Sequence, residues 1–93
     1  MGKEELINKL SGYLKETLRR KDLQINPEDN LVEKTGLDSM GAIEYIFKLE
    51  EEFDISIDDN EAQRIQTLNR AAEMVLEKLG NKQSGFKENL AAT

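Results

Sequence analysis

The sequence predicts an all-α, four-helix bundle with a long first loop and a short third helix. Three observations predict it. Segments near the start and the end of the chain repeat apolar residues at helical spacing. A central segment, Ser39 to Phe53, does so on two faces at once. The only alternating stretch, Ile55 and Ile57 with polar neighbours, is short and has no second strand to pair with.

The first helix is expected from about Lys3 to Arg20. Leu6, Ile7, Leu10, Leu14 and Leu18 form its stripe, with Tyr13 on the edge. Arg19, Arg20 and Lys21 suit its C-terminal end, where cations complement the helix dipole. Asp22 to Thr35 reads as a long connection that holds the only proline, Pro27, in a turn. Leu23, Ile25, Leu31 and Val32 are expected to tuck it against the bundle. A second helix should run from about Ser39 to Glu52. An extended linker then buries Ile55 and Ile57, and a short helix follows from about Asp59 to Arg64, capped by Asp58 or Asp59. The last helix, Leu68 to Leu79, has Thr67 as N-cap and a stripe of Leu68, Ala71, Ala72, Val75, Leu76 and Leu79. Gly80-Asn81 reads as its C-cap.

A chain of 93 residues suits one domain. Residues 1–80 are expected to form it, with 81–93 as a flexible tail in which Phe86 and Leu90 could make a short docking turn. Cysteine is absent, so no disulfide can staple the small core, and a cytoplasmic protein is expected. Histidine is absent too, which excludes a Ser-His triad, a His–zinc site and His acid–base catalysis within this chain. No apolar run approaches the roughly 18 residues of a membrane span.

The net charge of −6 is concentrated. Residues 1–36 carry seven acids and seven bases, residues 37–61 nine acids and one base, and residues 62–93 three acids and five bases. All the excess acid therefore follows Gly36. Such a surface suits basic protein partners and disfavours nucleic acid. Asp54-x-Ser56-x-Asp58 resembles the start of a calcium loop. The required glycine and final glutamate are missing: Asp59 and Ile65 stand in their places.

The residue expected to carry chemistry is Ser39. Gly36 permits a tight turn before it. Asp38 and Ser39 are both N-cap types. Ser39 thus lies at the positive end of a helix, where a phosphate is favoured. Downstream, Ile46, Leu49 and Phe53, with Tyr45 beside them, form one stripe, and Met40, Ile43 and Phe47 form a second. Glu44, Lys48, Glu51 and Glu52 lie between them as a charged ridge.

Gly36-Leu37-Asp38-Ser39-Met40, then Glu44, then Leu49-Glu50-Glu51-Glu52-Phe53-Asp54, resembles the prosthetic-group site of the acyl carrier proteins. The likeness extends over about residues 3 to 79, through Ile55, Ile57, Glu61-Ala62 and Thr67-Leu68. Met40 replaces the family's usual leucine, Gly41 stands where an acid is usual, and Asp58 replaces a frequent proline.

The resemblance implies a bundle of acyl-carrier type with the same long first loop. It implies that Ser39 carries a 4′-phosphopantetheine arm derived from coenzyme A. Asp38 would aid recognition by the phosphopantetheinyl transferase and its metal. Met40, Ile43 and Phe47 would give partners an apolar patch, and Glu44, Glu50, Glu51 and Glu52 the charge for basic docking surfaces. The expected protein is a monomeric carrier of acyl chains for fatty acid or polyketide-type biosynthesis, not an enzyme. The alternative is a small acidic helical adaptor without a prosthetic group.

Overall fold

The computed structural model describes residues 2–92, with side chains described over 2–80. It is helical: α1 (Lys3–Leu18), α2 (Leu31–Thr35), α3 (Ser39–Phe53), α4 (Asp59–Gln63) and α5 (Leu68–Ala92), with no strand among the described residues. The four expected helices are present. The short α2 is an addition inside the long first loop.

Helix α1 packs against both α3 and α5. Leu6, Leu10 and Leu14 from α1 meet Tyr45, Leu49 and Phe53 from α3 and Leu68, Ala71, Ala72 and Val75 from α5 in one core. Ile46, expected in that core, is half-buried, and Tyr45 takes the inward position. Both residues satisfy helical spacing with Leu49 and Phe53, so periodicity alone does not separate them.

The Tyr45 hydroxyl donates to the Leu10 carbonyl at 2.8 Å in the interior. Burial pushes this phenol well above its ordinary pKa. Tyr45→Phe keeps the ring and loses the bond, with an expected destabilisation of about 1 kcal/mol. Denaturant unfolding at constant m-value measures it. No change would mean that the bond is no better than the phenol's bond to water.

The first helix ends at Leu18, two residues before the expected Arg20, because Arg19 turns into the left-handed region with φ 57°. The following loop is pinned at both ends. Arg20 Nη1 donates to the Thr35 carbonyl at 2.9 Å. At the other end, Asn69 N donates to the Pro27 carbonyl and Leu31 N to the Gln66 carbonyl, while the Asn69 side chain bonds Glu28. Asn30 caps α2 by accepting from Glu33 N at 3.0 Å. These anchors, rather than a periodic stripe, make α2.

Helix α5 runs through Gly80 and Asn81 to Ala92, beyond the expected stop at Leu79. Gly80 is not among the residues with positive φ, so it does not form the expected cap. The sequence after it has no proline and holds several good helix formers, so the opposition comes mainly from two helical glycines, Gly80 and Gly85, at roughly 1 kcal/mol each. The expected docking turn of Phe86 and Leu90 concerns side chains outside the described residues. No helix among the described residues is long and apolar enough to cross a membrane.

Helix α4 starts with a capping box. Asp58 Oδ1 accepts from Glu61 N at 2.8 Å, and Glu61 Oε1 accepts from Asp58 N at 3.1 Å. The other Glu61 oxygen pairs with Lys78 of α5 at 2.7 Å. The bond from Lys78, with that from the Asp58 backbone, holds the Glu61 carboxyl below its ordinary value of 4.5. A carboxyl lowered on folding adds stability that is full above its unfolded pKa and is lost as pH falls through the folded value. Amide protection in α4, corrected for intrinsic exchange, should therefore fall as pH drops below 4.5. Protection that stays level through that range would contradict this.

Candidate functional site

The site is built at the junction of α2 and α3. Thr35, buried, closes α2: its hydroxyl donates to the Leu31 carbonyl at 2.6 Å and accepts from Leu37 N at 3.2 Å. Gly36 then takes φ 72°, a left-handed conformation that costs a residue with a Cβ about 1–2 kcal/mol. The turn sends Leu37 into the core and leaves Asp38 and Ser39 exposed.

Sequence left two candidates for the cap of α3. Asp38 is the one used: its Oδ1 accepts from Gly41 N at 2.8 Å. Ser39 occupies the first helical position, and its hydroxyl makes no hydrogen bond to the described residues. The serine is thus held rigidly by the backbone of a helix while its oxygen stays available.

Gly41 has a role that propensity and charge did not reveal. A Cβ there would lie 2.9 Å from Leu37 Cδ1, 3.3 Å from Asp38 Oδ1 and 3.8 Å from Leu18 Cδ2. The bare glycine is a flat seat for the Leu37 plug and the capping carboxylate. A Cβ at position 41 would make the tip of the Leu37 side chain shift.

Met40, Ile43 and Phe47 are 67%, 49% and 63% exposed. This second stripe is therefore not core: it lies exposed on α3. Ser39, Ile43 and Phe47 share one face at i, i+4, i+8. Ile43 and Phe47 also border a groove of about 420 Å³ between α3 and α4, lined further by Leu37, Ala42, Ile46, Ile57, Ala62 and Ile65. The groove explains why Ile46 is only half-buried.

The acidic residues divide by what their oxygens touch. Glu44 and Glu51 are exposed and form no hydrogen bond or ion pair with the described residues. Glu50 is half-buried, borders the groove, and accepts from Ile57 N at 2.8 Å. Glu52 pairs with Lys48 at 3.3 Å. Lys48 also approaches Glu16 of α1 at 3.7 Å and lies over the Tyr13 ring. Its hydrogen bond to Glu52 leads the effects that raise the Lys48 pKa. The only base of residues 37–61 is thus occupied at the α1–α3 seam. The last turn of α3 has no base at all, although the dipole there disfavours acids. Glu51 therefore lies where the helix dipole disfavours it, with only the field of Lys48 to offset this. Among the described residues, no group of three or more acids is placed to hold a metal ion.

A family model described as the phosphopantetheine attachment site matches residues 8–75. The chain belongs to the acyl carrier protein family. An acyl carrier protein of Cyanidium caldarium is 31% identical over 80 residues, covering 86% of this chain and 93% of that protein. Another, of Cyanidioschyzon merolae, is 30% identical over 91 residues, covering 98% and 97%. Acyl carrier proteins are carriers, not enzymes, and their cofactor is a covalently held 4′-phosphopantetheine. The α3 N-terminus fits such a group: an exposed, unbonded hydroxyl stands at the positive end of a 15-residue helix whose cap is supplied by another residue.

Proposed function

We propose that Ser39 is the attachment point and that the protein carries acyl intermediates of fatty acid or polyketide-type biosynthesis. One observation carries this: Asp38 caps α3 and so leaves the Ser39 oxygen unoccupied. When bound, the group supplies a thiol on which acyl chains travel as thioesters. The protein's own residues do the rest. The backbone of the first turn of α3 and its dipole favour the phosphodiester. Asp38 fixes that turn and offers a carboxylate beside it. Among the described residues no general base is hydrogen-bonded to Ser39 to activate its hydroxyl, and the modifying transferase supplies the catalysis.

Ile43 and Phe47 lead from Ser39 to the groove, a path of about 12 Å along the helix to Phe47 at 1.5 Å per residue. An acyl chain lying there would leave water at roughly 0.8 kcal/mol per buried CH₂. The groove volume is within the range of small-molecule sites.

Met40, Ile43 and Phe47 form the apolar part of the docking face, with the exposed Glu44 and Glu51 as its charges. Glu50 and Glu52 contribute field while their oxygens hold the Ile57 amide and Lys48. Glu44→Lys and Glu51→Lys should each slow association with a basic transferase several-fold at low salt, and the effect should fade as salt rises. Rates equal to wild type at low salt would remove these residues from the docking face.

Intact mass after incubation with coenzyme A and a broad-specificity phosphopantetheinyl transferase tests the carrier function. A gain of one phosphopantetheine, followed by one acyl group on loading, is expected. No gain, with another acyl carrier protein modified in the same reaction, would leave the chain an adaptor.

A further inference from the structure

Helix α4 is a thin wall between two spaces. The apolar groove lies on its α3 side. On its α5 side is a polar cleft of about 250 Å³ bordered by Glu61, Arg64, Arg70, Met74 and Lys78. None of the residues of α4 is fully buried. Apolar contact therefore does little to hold it, with Ala62 and the following Ile65 only half-buried against the core.

What fixes α4 is polar. Glu50 Oε2 holds the Ile57 amide just before it. Glu61 closes the capping box with one oxygen and reaches Lys78 with the other. The Glu61–Lys78 pair is also the best covered of the ion pairs among the described residues, with side chains 29% and 20% exposed. It ties the movable wall to α5, which packs on α1 and does not border the groove. Without the tie, the cleft behind α4 offers room for the wall to retreat.

We propose that the Glu61–Lys78 pair is a specificity determinant of the groove: it holds α4 in place and so sets the acyl-chain length accepted before the chain must emerge. This rests on the reading of the groove as the acyl site. The pair does not touch the attachment serine, so it acts by positioning the wall.

The test uses the full chain in two variants. Glu61→Gln keeps an oxygen for the Asp58 amide and so preserves the capping box while removing the charge. Lys78→Met removes the partner and keeps a side chain of similar length. Wild type and variants are loaded with hydrolysis-resistant acyl groups of increasing length, and Tm is read for each. Hydrogen exchange of the unacylated proteins is measured in parallel.

In wild type, Tm should rise with chain length and then level off. In both variants the levelling should move to longer chains, and α4 amides should exchange about tenfold faster while the α1 and α5 core amides keep their rates. Variants with the wild-type length profile and unchanged α4 exchange would overturn the proposal. A wild type whose Tm ignores chain length would instead overturn the acyl groove itself. The exchange arm would then still report whether the pair holds α4.

Discussion

Ser39→Ala should leave the fold standing and abolish loading with 4′-phosphopantetheine. The two halves of this result have separate causes. Asp38, not Ser39, accepts from the first turn of α3, so the substitution removes no cap. The Ser39 hydroxyl is exposed and has no hydrogen bond to lose among the described residues, and alanine is the best helix former. Stability should therefore stay within about 0.5 kcal/mol of wild type, as for ordinary surface substitutions. With Ser39 proposed as the attachment point, loading needs the oxygen itself, so its loss should be complete rather than partial. Denaturant unfolding and intact mass read the two halves. A destabilisation of 1 kcal/mol or more, typical of a lost cap, would show that Ser39 caps the helix in solution.

Leu49→Ala gives the opposite pattern. Leu49 is fully buried on α3, in the core shared with α1 and α5. Truncating it removes apolar contact and leaves a cavity, at about 2–5 kcal/mol. A domain of this size has roughly 5–15 kcal/mol in all, and each kcal/mol lowers Tm by about 4–8 °C. The variant should melt well below wild type. Loading should fail where it is unfolded and return on cooling to where it is folded, since Ser39 is untouched. Normal loading at temperatures where the variant is unfolded would mean that the transferase needs only the local sequence. An unchanged Tm would mean that the α1–α3 seam can collapse around the smaller side chain.

The residues that organise the site were largely visible in the sequence, and those that stabilise its surroundings were not. Local rules placed Gly36, Asp38 and Ser39 at a turn and a helix start, because φ preference and capping chemistry are properties of single residues. The second stripe of Met40, Ile43 and Phe47 was legible because α3 has more apolar residues than one buried face needs. The choice of Asp38 over Ser39 as cap was not legible, since both side chains suit the role. Ile46 against Tyr45 was equally balanced, and the groove decided it.

Longer-range pairings left no local signal. Glu50 reaches an amide seven residues away, and Glu61 reaches Lys78 on another helix. Both were legible only as parts of an acidic surface. Helix α2 is one short turn with two buried residues, too short for a period, and its cap Asn30 read as part of a loop. Gly41 looked like a cost because propensity scales do not see the Leu37 side chain beneath it. The end of α5 was misplaced because glycine followed by asparagine is a frequent stop signal that a helix can cross.

The most direct test of the carrier function is to locate the modification. The chain has four serines: Ser11, Ser39, Ser56 and Ser84. After reaction with coenzyme A and a broad-specificity transferase, proteolysis and fragment mass spectrometry should place one phosphopantetheine on Ser39 and none elsewhere. An arm on another serine, or one that persists in Ser39→Ala, would contradict the site built here.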